Sequence, residues 1–346
     1  MKASSRVAFS AGSITRRTGT RIWSLGPARC FSVLLVLLLY LVSRSFADTP
    51  EPRQARSLVP FRLVGGFAVI IPVVVNGHGP YDFMLDTGTT IMVVDIELGR
   101  ELALEPQAQG TVTTLTQQLS ASIAVARRVD FGPMTEQNVE VMVRELSGLR
   151  KIAPTVRGVL GQNALNHSDF LLDYQHKQLQ FDTDGELTRS LAGHHIPLRR
   201  NAAADNPRYG NLVVHGSVAD GVVHPMDFLL DSGAASPVIF DSFERETIGY
   251  PEAFVADTAG RQSPAGVRDL QFMLDGKSRE MRTQVVVFKG VDRNIGGLLP
   301  TRMFTRIYIS NHGGFAIFEP KIKKPGSPGR MIAVMPPQLP GHGGKS

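Results

Sequence analysis

The stretch Pro80-Tyr81-Asp82-Phe83-Met84-Leu85-Asp86-Thr87-Gly88 returns, without a gap, as Pro225-Met226-Asp227-Phe228-Leu229-Leu230-Asp231-Ser232-Gly233. Each copy is a short apolar run that ends in a carboxylate, a hydroxyl and a glycine. A turn signal precedes each one, Asn76-Gly77 in the first and Asp220-Gly221 in the second. A β-branched run follows each, and then a short helix is expected, beginning at Asp95 or Asp241. Further along, Gly158-Val159-Leu160-Gly161 corresponds to Gly297-Leu298-Leu299-Pro300. The run from Phe170-Leu171-Leu172-Asp173 to Leu179-Gln180-Phe181 corresponds to that from Ile307-Tyr308-Ile309-Ser310 to Ala316-Ile317-Phe318. Self-similarity at this distance marks two copies of one structural unit. Two similar lobes are therefore expected, over residues 58–190 and 191–320.

The surrounding pattern is mostly β. Val- and Ile-rich runs of three to nine residues, bounded by Gly, Asn, Asp and Pro, are strand-like. They include Phe67–Val75, Tyr81–Leu85, Ile91–Val94, Val139–Val143, Leu212–Val214, Asp227–Leu230 and Gln284–Phe288. Helix is expected only near Asp95–Leu104, Gln162–Asn166 and Asp241–Ile248. Residues 48–57 are polar and proline-containing, and read as a linker. The segment 321–346 has five Pro and five Gly in 26 residues, too few apolar groups for a core, and is expected to be a disordered tail.

The formal charge of +6 over 346 residues is unevenly placed. Residues 1–47 hold seven basic side chains and no acid, and residues 321–346 hold five more and no acid. That leaves 25 basic and 31 acidic side chains in 48–320, a net of −6. An acidic body removes the main support for nucleic acid as a partner. Within the basic leader, Phe31–Val42 is a 12-residue apolar run, short of the roughly 20 residues that cross a bilayer. It precedes Ser45-Phe46-Ala47, whose small residues fit a signal-peptidase site. Residues 1–47 thus read as a secretion signal, with an uncleaved membrane anchor as the competing reading. The only cysteine, Cys30, and the only tryptophan, Trp23, fall inside this leader. No disulfide framework and no multi-thiolate metal site is available to the rest of the chain.

Two matched Asp-x-Gly loops suggest a specific chemistry. If the lobes pack about a pseudo-twofold axis, Asp86 and Asp231 meet. Two carboxylates in contact share one proton, because ionising both is costly. One then serves as general base towards a bound water and the other as general acid towards a carbonyl oxygen. Such a pair hydrolyses amides with neither a metal nor a nucleophilic side chain, so no cofactor is expected. Thr87 and Ser232 carry hydroxyls able to bond backbone groups and pin the facing loops together. Gly88 and Gly233 allow the sharp turn.

Rival readings find less support. The nine histidines include no His-Glu-x-x-His and no i, i+4 ligand pair, and His194-His195 reads as a surface or inter-lobe pair. There is no Gly-x-Ser-x-Gly elbow for a serine nucleophile. The segment from Asp86 to Thr90 also resembles the first phosphate loop of the actin and sugar-kinase ATPases, but the glycine-rich second phosphate loop is missing from Asp231-Ser232-Gly233-Ala234-Ala235. A haloacid dehalogenase-type phosphatase needs a second Asp at position 88, where glycine stands. A binding module that kept the repeat without activity is the remaining alternative. Arg127-Arg128 and Arg199-Arg200 read as solvated charges.

The segments from Phe83 to Thr90 and from Phe228 to Ser236, each followed by an apolar-apolar-Gly-like motif, resemble the aspartic proteases, and in particular the retropepsin-like aspartyl proteases of bacteria. The resemblance covers most of residues 58–320. It implies an all-β, bilobal fold with the active site in the cleft between the lobes. It places the catalytic aspartates at Asp86 and Asp231, and the loop residues that support them at Thr87, Gly88, Ser232 and Gly233. It also implies a β-hairpin flap, for which Gln109–Leu119 and Asp257–Val267 are the candidates by position. A polypeptide substrate follows, with both aspartates in one chain so that a monomer suffices. A homodimer pairing each lobe with its partner's is the alternative.

Two departures break the symmetry. Pro300 stands where the first repeat has Gly161. Thr89, three residues after Asp86, faces Ala234, three after Asp231. A hydroxyl at Thr89 bonding the outer carboxylate oxygen favours ionisation of Asp86 and leaves the proton on Asp231.

Overall fold

A computed structural model describes residues 58–320 except 116–117, 192, 204–205, 241–252, 259, 275–280 and 289–294. The leader, the linker, the tail and the helix expected over Asp241–Ile248 lie outside the described residues. In chain order the first half contains β1 (Leu58–Pro60), β2 (Arg62–Val64), β3 (Ala68–Val75), β4 (His78–Leu85), β5 (Met92–Asp95), helix α1 (Ile96–Glu101), β6 (Ala108–Thr113), β7 (Gln118–Phe131), β8 (Met134–Arg144), α2 (Ser147–Ile152), β9 (Val156–Leu160), α3 (Gln162–Leu165), β10 (Phe170–Asp173), β11 (Gln178–Phe181) and α4 (Glu186–Ser190). The second half contains β12 (Ile196–Ala203), β13 (Asn206–Ala219), β14 (Val223–Asp231), β15 (Val238–Phe240), β16 (Ala253–Ala256), β17 (Gln262–Leu274), β18 (Met281–Phe288), β19 (Gly297–Pro300), a 3₁₀ turn (Thr301–Met303), β20 (Phe304–Ser310) and β21 (Phe315–Pro320).

The two halves repeat one strand arrangement, and the chain is an all-β, two-lobed protein. In the first half β4 pairs with β9 in parallel, β9 with β5 antiparallel, and β5 with β8 in parallel. In the second, β14 pairs with β19, β19 with β15 and β15 with β18 in the same senses. The quoted repeat is apolar without alternation because each strand is covered on both faces. Phe83 and Leu85 enter one large core that also takes Phe228 and Leu230. Met84, between them, enters a separate cluster with Ile70, Val93 and Val159. Its counterpart Leu229 enters another with Val213, Val238 and Leu298. The turn before β4 uses Asn76 and Gly77 at φ 52° and 81°, the pair of positive values a two-residue hairpin needs.

The division between halves is not a division between sheets. An eight-stranded sheet runs β2-β3-β4-β9-β5-β8-β7-β6. A thirteen-stranded sheet begins β1-β11-β10 and passes directly into β20-β21-β12 and the second half. At the join, β10 and β20 are antiparallel, with Phe170 opposite Ile309 and Leu172 opposite Ile307. Under the internal repeat Phe170 becomes Ile307 and Leu172 becomes Ile309, so each pair maps onto the other. A self-complementary register of this kind is what a twofold axis between β10 and β20 requires.

The helices are short. α1 begins where Asp95 accepts the Glu97 amide, and it ends earlier than the expected Leu104. α2 and α4 carry no periodic signal in the sequence. α2 packs Leu149, with Leu146 before it, into the same cluster as Met84, and Arg150 pairs at 2.5 Å with the buried Asp95.

Candidate active site

β4 delivers Asp86 and β14 delivers Asp231 to the same point. The Asp86 amide donates to Leu160 O at 3.0 Å, extending the ladder to β9 by one residue. Asp231 lies opposite Pro300 in the β14–β19 pair. The loops that follow are tied by four buried bonds. The Thr87 amide donates to Ser232 Oγ at 3.0 Å, and the Ser232 amide to Thr87 Oγ1 at 3.0 Å. Thr87 Oγ1 donates to Leu230 O at 2.8 Å, and Ser232 Oγ to Leu85 O at 2.9 Å. Each hydroxyl thus accepts from the opposite amide and donates to the carbonyl of the strand end facing it. Every polar group of this interlock is satisfied, as burial demands.

The interlock brings the two carboxyl groups together. A Cβ at Gly88 would stand 2.6 Å from Asp231 Cγ, and one at Gly233 would stand 2.8 Å from Asp86 Cγ. Only glycine at both positions lets each carboxylate lie against the other loop. Gly88 N–H donates to Asp86 Oδ1 and Gly233 N–H to Asp231 Oδ1, both at 2.8 Å. Symmetry ends there, because Thr89 Oγ1 donates to the other oxygen of Asp86, Oδ2, at 2.7 Å, and Ala234 has no hydroxyl to give. Asp231 instead receives the Ala234 amide and a side-chain hydrogen bond with Asp86. Burial, and then the charge of Asp86, hold the Asp231 carboxyl well above the usual carboxylate range, while the Gly233 and Ala234 amides oppose this.

Residues 71–164 match the model of the aspartyl protease family. Among solved structures, the aspartic proteinase of Irpex lacteus aligns at 11% identity over 76% of this chain and 97% of its own, with a TM-score of 0.45. Basic 7S globulin from soybean aligns at 10% identity over 76% and 94%, with a TM-score of 0.44. A retropepsin-like aspartic protease from Rickettsia conorii aligns at 19% identity over 36% and 86%, with a TM-score of 0.26. No curated protein matches the chain.

The two aspartate loops are braced differently. A Cβ at Gly161 would fall 2.8 Å from the carbonyl carbon of Ile91, because the Gln162 and Asn163 amides bond Thr89 O and Thr90 O. Gln162, fully buried, also donates from Nε2 to Thr87 O at 3.1 Å. Pro300 takes the place of Gly161 and leads into a 3₁₀ turn instead of an α-helical one. There Thr301 is held by Tyr174 from the first half, hydroxyl to hydroxyl at 2.5 Å. In the reverse direction Asn311, the repeat counterpart of Tyr174, donates to Leu165 O and Ser168 O around the end of α3. Each half thus steadies the turn behind the other's aspartate loop. Gln162 and Tyr174 escape a sequence reading because each acts across a distance that no motif spans.

Both hairpins expected as flaps form, β6–β7 and β16–β17, and both touch the opposite half. Leu115, in the first hairpin's turn, packs on the cluster that contains Leu229, as Ala234 also does. Thr258, in the second hairpin's turn, accepts the Leu149 amide of α2 at 3.1 Å. Elsewhere, His195 is exposed and stacks on Phe315 with ring centroids 4.0 Å apart. Arg199, read as a solvated charge, pairs with Asp227, and Arg62 pairs with the matching Asp82 of the first repeat.

Proposed function

We propose that this protein is an exported aspartic endopeptidase in which Asp86 and Asp231 share one proton. The observation that carries the reading is the reciprocal interlock, which leaves two carboxyl groups in contact and one of them disposed to stay protonated. In the resting enzyme Asp231 holds the proton and Asp86 is ionised, its charge met by the Gly88 amide and the Thr89 hydroxyl. Water held between the two attacks the scissile carbonyl carbon. Asp86 takes a proton from that water as the C–O bond forms, and Asp231 gives its proton to the carbonyl oxygen. The resulting gem-diol collapses as Asp86 returns a proton to the amide nitrogen and Asp231 recovers one from a diol hydroxyl, so the pair ends as it began. Thr87, Gly88, Thr89, Ser232 and Gly233 act by holding the pair.

The substrate is a polypeptide, taken into the cleft in extended form, and one chain supplies both aspartates. The leader reading supports export, with membrane attachment only through an uncleaved leader, and the acidic body speaks against nucleic acid as a partner. The test is cleavage of an unfolded protein at acidic pH. It is expected to vanish in Asp86→Asn, in Asp231→Asn and with a statine-type inhibitor. Peptide binding without cleavage would instead assign a binding module, and cleavage persisting in either single variant would end the shared-dyad mechanism.

A further inference from the structure

Arg302 carries a charge that no carboxylate among the described residues answers. Several arginines of the fold have one, as in Arg150–Asp95, Arg157–Glu101 and Arg306–Glu319, whereas Arg200, whose pKa burial also lowers, bonds the amide oxygen of Asn311. Among the described residues Arg302 donates to two carbonyls, from Nε to Ala235 O at 3.0 Å and from Nη1 to Gly66 O at 2.6 Å. It is half-buried, and that burial holds its pKa below the ordinary arginine value. Two of the five N–H donors of the guanidinium are engaged in this way, and the other three meet no acceptor among the described residues. A charge drawn partly out of water without a counter-charge is costly to the fold, and an anion arriving beside it recovers part of that cost.

Its position is on the wall of the cleft. Ala235 is exposed, four residues past Asp231 on the same loop. Gly66 belongs to the turn between β2 and β3, where a Cβ at the adjacent Gly65 would stand 2.9 Å from Ile152 of α2. α2 in turn bonds the second hairpin through Leu149 and Thr258, and Lys151 Nζ lies 3.7 Å from where a Cβ on Gly260 would stand. Loop, Arg302, turn, helix and hairpin therefore form a continuous rim around the Asp231 end of the cleft. Arg302 and Lys151 are cations of that rim, and Asp257, in the second hairpin's turn, is an anion of it within electrostatic reach of Arg144.

We infer that Arg302 reads an acidic side chain of the substrate, on the side of the scissile bond that lies along the Asp231 loop. This rests on the endopeptidase reading and gives it a substrate class, peptides with Glu or Asp at one position near the cut. A planar guanidinium fork suits a carboxylate where a lysine ammonium would not.

The test uses the whole protein and a peptide library with Glu, Gln or Lys at each position flanking the cut, at about pH 6, where a free Glu is ionised. At one position Glu is expected to exceed Gln by about ten-fold in kcat/KM, chiefly through KM, as charge-assisted hydrogen bonds allow. The ratio should fall towards one below about pH 4 and shrink in high salt. In Arg302→Gln the preference disappears, and in Arg302→Glu it passes to Lys. Because the ratio compares peptides within one protein, partial loss of folded enzyme does not alter it. Should neither variant fold, the pH and salt dependence of the wild-type ratio decides. Equal cleavage of Glu and Gln peptides by the wild type at every position overturns the inference, as does a preference that survives Arg302→Gln. Absence of any cleavage by the wild type is a different result, which overturns the endopeptidase reading and this inference with it.

Discussion

Thr89 and Ala234 occupy the same place in two otherwise matched loops, and the difference between them falls on the dyad. The Thr89 hydroxyl is the one donor to Asp86 that Asp231 lacks in equivalent form. Thr89→Ala removes a charge-assisted bond worth about 1.5 kcal/mol, so the acidic limb of the kcat/KM profile should move up by about one pH unit. The limb belongs to the pair, and a pH–rate profile that does not move counts against the assignment. The raised pKa of Asp231 has its own consequence for stability. A carboxyl whose folded pKa lies above its unfolded one stabilises the fold below the unfolded value, and that contribution is lost as pH rises through the folded value. Asp231→Asn keeps the shape and removes the charge, so it should melt higher than the wild type near neutrality. The advantage should vanish below about pH 4, where the unfolded carboxyl is also protonated. A melting difference that is flat with pH would contradict this. The asymmetry itself is plain in the sequence, since positions 89 and 234 are a fixed step from each aspartate. That Thr89 reaches Oδ2 while Gly88 holds Oδ1 needs the folded loop.

At the scale of elements, the interlock between the two loops bears on both stability and geometry. Thr87→Val takes away the donor to Leu230 O and the acceptor of the Ser232 amide together. Two buried backbone groups are left unpaired, at about 1–3 kcal/mol each. Chemical denaturation should show a loss of roughly 2–6 kcal/mol by the same reckoning, and Thr87→Ser should recover most of it. A loss under 1 kcal/mol would mean that water replaces the hydroxyl and that the interlock is not what joins the loops. The strands and loops around this interlock are legible in the sequence because they are local: an apolar run, a carboxylate, a hydroxyl, a glycine, then the turn. α2 and α4 are not legible. α2 is six residues with no side-chain cap; it forms because Leu149 is buried and Arg150 reaches Asp95, both tertiary effects that override weak local preference. Pro300 shows the same limit in reverse. The departure from glycine is visible in the sequence, but its outcome, a 3₁₀ turn anchored by Tyr174, depends on a residue 126 positions earlier.

For the whole molecule, the feature with most consequence is one the repeat alone does not reveal. Two lobes in sequence suggest two separable bodies, yet β10 of the first half pairs with β20 of the second, and a single core takes side chains from both. Thermal unfolding should therefore be one cooperative transition with equal calorimetric and van't Hoff enthalpies, and two resolved transitions would argue for independent lobes. The same continuity bears on whether the site is built from one chain or two. The bonds between Thr87 and Ser232 join residues of one chain, whereas a swapped homodimer would make the same contacts between chains, since a twofold interface is self-complementary in either case. Mixing variants separates the two arrangements. Asp86→Asn and Asp231→Asn are each inactive as monomers, and a co-refolded equimolar mixture of monomers stays inactive. In a swapped dimer, half the molecules would pair one variant with the other, and one of the two sites in each such pair would contain both intact aspartates. About a quarter of wild-type activity would then return, by simple mass action over the possible pairs. The continuous β10–β20 sheet within one chain predicts no recovery, and a quarter-strength signal that depends on protein concentration would assign the site to the dimer.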